Sequence, residues 1–377
     1  MTKPRRILFV TGTRADFGKL KPLINAVEKS DKFVCSVFVT GMHTLSIYGS
    51  TQNEVFACEY SNIHVYLNQI INDPMEQILA NTIDGLSRFL HENPHDMIVV
   101  HGDRIEAMAG AIVGMLRNIL VAHIEGGELS GTVDGMIRHA VSKLAHIHFV
   151  ANQEAEQRII QLGEDPSAIM VIGSPDVDVM MSPNLPSIND VKKHYEIRFN
   201  DYAIAMYHPV TTEINTLSEK SKIFVDALVQ SERNYVVILP NNDEGTLIIL
   251  NELERLKENP KFRIFPSIRF ESFLSLLRNA KFIIGNSSAG IREAPYFGVP
   301  TVNVGTRQEG RLIHSSIIDT KTDVREMLAA IKTAENLKPE TEKNIFGKGN
   351  SVKHFMDAIE AEKTWKIPTQ KQFKELS

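Results

Sequence analysis

The stretch DMIVVHGDRIEAMAGAIVGMLRNILVAHIEGGE, residues 96–128, holds two short apolar runs, DMIVVHG (96–102) and NILVAHI (118–124), with a helical segment between them. Apolar runs without polar alternation suit strands covered on both faces, and strands joined by helices build a parallel sheet from βαβ units. Each run also ends in reactive side chains: His101 and Asp103 at the first, His123 and Glu125 at the second.

The same rhythm continues on both sides. RILFVT (6–11) leads into a helical stretch near 18–30, and FVCSVFVT (33–40) and HIHFVA (146–151) belong to the same series. Three prolines interrupt GSPDVDVMMSPNLPSIND (173–190). The pattern restarts with DYAIAMYH (201–208), NYVVILP (234–240), FRIFP (262–266), KFIIGN (281–286) and PTVNV (300–304). With 377 residues and about 150 per domain, two domains are expected. The predicted fold class is α/β, two Rossmann-like domains facing a cleft. An N-terminal domain takes residues 1–175, a linker 176–200 and a C-terminal domain 201–350. A C-terminal helix and tail, 351–377, follow, with packing on either half left open and packing back on the N-terminal domain one of the two placements.

Composition narrows the function classes. Hydrophobic residues are 43% and charged residues 23%, ordinary values for a globular protein. Net charge is −5 and no basic block exceeds KPRR (3–6), so no nucleic-acid or membrane partner is predicted. Cys35 and Cys58 lack CxxC spacing, which fits a reducing compartment and disfavours a disulfide framework or a cysteine-bound zinc. KPRRILFVTGTRAD reads as a first strand and not a signal peptide, and no apolar run approaches the ~20 residues needed to span a bilayer. A cytoplasmic location is expected.

In open parallel sheets, ligands bind beyond the carboxyl ends of the strands. The residues there are Arg14 and Asp16, His101 and Asp103, His123 and Glu125, His208, and Asn286 to Ser288. TGTRADFGKL (11–20) has neither the G-x-G-x-x-G spacing nor a P-loop ending. Arg14 and Lys19 are thus either surface charges on a turn or positive charge for a phosphate. In IGNSSAGIREAPYFGVP (284–300) a strand ends in small residues and a helix begins, an arrangement that favours anionic oxygen. Ser287 and Ser288 can add hydroxyl donors and Glu293 can accept from sugar hydroxyls; simple serine capping is the alternative. The stretch is not G-x-S-x-G, which disfavours a hydrolase nucleophile. Arg307 and Arg311, in GTRQEGR (305–311), share a face only if that turn is helical. His208 precedes Pro209, which restricts it to extended backbone, and is open to a structural or a catalytic role. His139, His146 and His148 lack HExxH spacing, so no metal site is predicted.

Taken in order, GTRADFGKLKPL (12–23), HGDRIEAMAGA (101–111), HIEGGELSGTVDGMIRHAVSKLAH (123–146), HPVTTE (208–213), GNSSAGIREAPYFGVP (285–300) and GTRQEGR resemble the hydrolysing UDP-N-acetylglucosamine 2-epimerases. These are the bacterial sialic-acid-pathway enzymes and the epimerase half of their bifunctional animal relative. The resemblance runs from residue 5 to about 360. It implies a glycosyltransferase-B-like fold with catalytic carboxylates in the first domain and UDP held mainly by the second. It also implies UDP-N-acetylglucosamine and UDP as ligands, no cofactor and no metal, and a homo-oligomer, dimer or tetramer.

By position in those motifs, Asp103, Glu125, Asp134 and His208 match the family's catalytic residues. Ser287, Ser288 and Glu293 match diphosphate and ribose contacts, and Phe273, in RFESFLSLL (269–277), the aromatic near the uracil. Arg14, Lys19, Arg307 and Arg311 match basic positions around the diphosphate. One departure is Asp134-Gly135, where many relatives carry two adjacent acids. The implied reaction eliminates UDP to a glycal and hydrates it to N-acetylmannosamine, which feeds sialic acid (nonulosonate) biosynthesis. The alternatives are the non-hydrolysing epimerase, a hydrolysing enzyme for a UDP-2,4-diacetamido-trideoxy sugar, and a glycosyltransferase or silent nucleotide-sugar binder on the same fold.

Overall fold

A computed structural model of the chain describes residues 3–308, 310–341 and 345–375. Outside the described residues lie Glu309 of GTRQEGR, residues 342–344 of the expected second domain, and 1–2 and 376–377 of the outer two segments. The chain divides into two compact units. The first holds Met1–Glu128, Asp134–Ser182 and Ile345–Ser377, and the second Leu129–Val133 and Pro183–Asn344.

In the first unit the strands are β1 (Arg5–Thr11), β2 (Phe33–Val39), β3 (Ile63–Val65), β4 (Met97–His101), β5 (Leu120–Ile124), β6 (Ile147–Val150) and β7 (Ile169–Val171). They form one parallel sheet in the order β3-β2-β1-β4-β5-β6-β7. Every residue of β4 and β5 is buried, as expected for Val- and Ile-rich strands covered on both faces. The order reverses between β1 and β4, the switch point of such sheets. Helices α1 (Arg14–Glu28), α2 (Gln52–Phe56), α3 (Met75–Glu92), α4 (Ile105–Leu116), α5 (Val133–Leu144), α6 (Gln153–Gln161) and α7 (Pro175–Met180) connect or follow the strands. Helix α4 lies close on the sheet because Gly114 has no side chain: a Cβ there would lie 2.3 Å from Val121 Cγ2.

The second unit repeats the scheme. Strands β8 (Ala203–Met206), β9 (Tyr235–Ile238), β10 (Phe262–Phe265), β11 (Ile283–Gly285), β12 (Thr301–Val304) and β13 (Ile317–Thr320) form a parallel sheet in the order β10-β9-β8-β11-β12-β13. Its helices are α8 (Ile188–His194), α9 (Ile214–Gln230), α10 (Thr246–Leu253), α11 (Phe270–Arg278), α12 (Ala289–Phe297) and α13 (Val324–Asn336).

Residues 176–200, a linker by sequence, carry α7 in the first unit and α8 in the second, and the division falls between Ser182 and Pro183. The reason is Pro175, which does not break the chain but starts α7, where a missing N–H is harmless. The chain then returns to the first unit at Ile345, earlier than the predicted boundary at 350. Helix α14 (Ser351–Glu360) buries Phe355 against Phe9 and Phe149, with ring centroids 6.3 and 4.9 Å away. Asp178 of α7 caps it, accepting from the N–H groups of Ser351 and Val352 at 3.0 Å each.

Beyond α14 the tail is fastened by buried polar groups. His146 accepts from the Val121 N–H at 2.9 Å through Nδ1, and its Nε2 meets the Thr369 carbonyl at 3.0 Å. Burial pushes His148 below the ordinary histidine range, so it meets Glu164 at 3.2 Å as a neutral donor. Burial alone would raise the Glu164 carboxyl. Hydrogen bonds from His148, Lys371 and Lys143 outweigh it and bring the group from 4.5 to about 2. A depressed carboxyl adds stability above its unfolded value and loses it as pH falls through the folded one. Glu164→Gln is therefore expected to cost about 1.5 kcal/mol at neutral pH, the low end for bonds to a charged group because Lys143 reaches solvent. Urea melts at stepped pH should show that difference shrinking between 4.5 and about 2; a constant difference would contradict the account.

Candidate active site

The carboxyl ends of β4 and β5 place Asp103 and Glu125 near one another in the first unit. Glu125 has φ of +63°, a left-handed backbone that costs a non-glycine residue about 1–3 kcal/mol and collects at functional sites. Two bonds hold it there: its N–H donates to the Phe149 carbonyl at 3.0 Å, and its own carbonyl accepts from Arg138 Nη1 at 2.6 Å. The Glu125 side chain is buried, with Oε1 accepting from the Ser174 hydroxyl and Oε2 lying 3.2 Å from His101 Nε2. Arg138 Nη2 pairs with Asp103 Oδ2. One buried guanidinium thus joins both acids, with the Asp103 side chain 21% exposed and that of Glu125 5%. Asp134 lies in the first turn of α5, four residues before Arg138 and hence on the same helix face. Gly135 is buried on that helix.

His123 is structural. Its Nε2 meets the Gly102 carbonyl at 2.7 Å and its Nδ1 the Ser142 hydroxyl at 3.0 Å. Burial lowers it to about 3, so the ring stays neutral and props the turn that carries Asp103.

At the end of β1, Asp16 accepts from Thr11 Oγ1 and from the Gly12 N–H at 3.0 Å, and completes a capping box with Thr13. His43, lowered to about 4 by burial, meets Thr11 Oγ1 at 3.0 Å. The two cations predicted here are matched by acids of the same unit: Arg14 with Glu54, and Lys19 with Asp176 at 3.2 Å.

In the second unit, His208 follows β8 and is locked by Asn286. The His208 N–H donates to Asn286 Oδ1 at 2.7 Å, and Asn286 Nδ2 donates to the His208 carbonyl at 2.9 Å. His208 Nδ1 accepts from the Asn241 N–H at 3.2 Å, which leaves the proton of the neutral ring on Nε2. The Asn286 carbonyl accepts from Arg307 Nη1 at 3.2 Å and Gln308 Nε2 at 2.9 Å, and Arg311 Nη1 donates to Gln308 Oε1 at 3.0 Å. No helix forms over the described residues of 305–311, so the shared helical face considered for Arg307 and Arg311 does not arise.

At the start of α12, Ser287 Oγ accepts from the Ala289 N–H at 3.3 Å, while Ser288 holds the N-cap position without a side-chain cap bond. Glu293 is buried on α12 and Phe273 on α11. Sequence reasoning did not single out Ser174, Asn241 or Gln308, and quoted Arg138 without a role. Ser174 follows a strand like the others, but β7 is three residues long and merges into the proline-rich break.

Arg138→Met should cost about 3 kcal/mol, the low end for a broken buried ion pair because Asp103 keeps contact with water. A urea denaturation curve checks this, and a loss under 1 kcal/mol would contradict the shared-fork geometry.

A profile of the family described as UDP-N-acetylglucosamine 2-epimerase matches residues 25–360. The chain is 48% identical over 376 residues to a UDP-N-acetylglucosamine 2-epimerase of Neisseria meningitidis serogroup B, covering 99% of this chain and 100% of that one. It is 32% identical to a UDP-N,N'-diacetylbacillosamine 2-epimerase (hydrolyzing) of Legionella pneumophila, over 92% of this chain and 93% of that one. Among solved structures, the Methanocaldococcus jannaschii UDP-GlcNAc 2-epimerase in complex with UDP-GlcNAc and UDP is similar in fold. Its TM-score is 0.80 at 21% identity, covering 94% of this chain and 99% of that one. The full-length match of sequence and the two parallel-sheet α/β units agree: this chain belongs to the UDP-N-acetylglucosamine 2-epimerase family.

Proposed function

We propose that this protein converts UDP-N-acetylglucosamine and water to N-acetylmannosamine and UDP, and that the released sugar feeds sialic acid (nonulosonate) synthesis. The observation that carries the reading is the Arg138 fork, which joins two acids of unlike surroundings, Asp103 and Glu125. Carboxylates with opposing proton-transfer tasks need different environments. The Legionella relative, 32% identical, is named as hydrolyzing, which supports the water-consuming form.

In the first half, the C2 proton passes to a carboxylate while the C1–O bond breaks and its electron pair leaves with UDP, giving a glycal. In the second, water adds oxygen to C1 and a proton reaches C2 from the opposite face. Asp103 and Asp134 serve elimination and Glu125 serves hydration. His208, whose neutral ring carries its proton on Nε2, acts as a donor to the leaving diphosphate and not as a base. Ser287, Ser288, Arg307, Arg311 and the start of α12 bind the diphosphate, Glu293 the ribose and Phe273 the uracil. Arg14 and Lys19 have acidic partners and contribute less net charge.

Purified protein given UDP-N-acetylglucosamine in deuterated water should release free UDP and N-acetylmannosamine in equal amounts, with deuterium at C2. UDP-N-acetylmannosamine without free UDP would move the assignment to the non-hydrolysing reaction. Faster turnover of a UDP-2,4-diacetamido-trideoxy sugar would move it to the substrate type of the Legionella relative. Asp103→Asn and Glu125→Gln should each lower kcat about 10²- to 10⁴-fold.

A further inference from the structure

Ser174 stands at the N-cap of α7, a position where serine ordinarily accepts from the first free N–H groups of the helix. Here it makes no such bond, and its hydroxyl donates instead to Glu125 Oε1. The residue is fully buried and, preceding Pro175, is held extended at φ −90° and ψ 134°. Its N–H donates to the Phe346 carbonyl at 2.6 Å, from the segment leading into α14.

That bond needs two backbones in contact. Gly173 has φ of +84° and Gly347 of +127°, and a Cβ on Gly347 would lie 2.8 Å from Gly173 Cα. The crossing of GSP (173–175) with FGKG (346–349) therefore sets where the Ser174 hydroxyl points.

We propose that Ser174 is a positioning residue for Glu125, and that the glycine crossing with Gly347 keeps it in place. This rests on the hydrolysing reading, in which the Glu125 carboxylate assists water addition. A helix cap would act on the stability of α7; a hydroxyl bonded to the carboxylate acts on turnover through Glu125 alone.

The test is a double-mutant cycle on the full chain with UDP-N-acetylglucosamine. Ser174→Ala should lower kcat about 10- to 100-fold, the scale of a slightly misplaced group, with KM within about twofold of the unsubstituted protein. In the Glu125→Gln background the same change should cost nothing further. Gly347→Ala should behave likewise in both backgrounds. Ser174→Cys, of similar size with a weak donor, supplies the comparison if alanine does not fold. Losses that multiply in the double variant, or an unchanged kcat in Ser174→Ala, overturn the proposal while leaving the reaction assignment intact. A fully active Glu125→Gln would instead overturn the role of Glu125, and the proposal with it. Absence of product from the unsubstituted protein would overturn the reaction assignment itself.

Discussion

Arg138 is buried, and its guanidinium is shared between the Glu125 carbonyl and the Asp103 carboxylate. The fork suits this task because planar, bidentate donation fixes two acceptors at once, which a lysine ammonium does not. It also explains how Glu125 keeps a left-handed backbone, since the carbonyl that the strain reorients is the one Arg138 holds. With the backbone fixed, the side chain of Glu125 is turned inward to Ser174 and His101, while Asp103 stays closer to solvent.

Much of this was legible in the sequence, and the parts that were not have physical reasons. The buried strands announced themselves because full burial selects mostly apolar side chains along the run, as in β4 and β5. β3, β7 and β13 are three or four residues long, lie at the ends of the two sheets, and include partly exposed positions, so burial left no pattern to read. Ser174 was lost with β7. Asp103, Glu125 and His208 sit at the ends of apolar runs and could be marked from position alone. Asn286 is marked in the same way, but its lock on His208, and the role of Arg138 between Asp103 and Glu125, arise only through the fold. Charge partners are likewise not readable: the sequence leaves Arg14 and Lys19 open between surface charge and phosphate contact, and the fold gives each a nearby acid.

The histidines divide by what holds their nitrogens. His123 is bracketed by a carbonyl and a hydroxyl, and burial keeps it neutral, so it contributes shape. His146 joins a strand N–H to the tail. His208 has Nδ1 occupied by a backbone donor, which fixes the tautomer that a proton donor requires. Residue type does not distinguish these three, and the hydrogen-bond partners do.

The late return of the chain to the first unit has a consequence for biogenesis. Phe9 and Phe149 are covered by Phe355, and Ser174 by the segment at Phe346, so the first unit stays incomplete on the ribosome after its own strands have emerged. At roughly 5–20 residues per second, the ~180 residues between α7 and the end of α14 represent a wait of about 10–35 seconds. The second unit, nearly continuous in sequence, can form during that interval, which reverses the usual order in which the N-terminal part matures first.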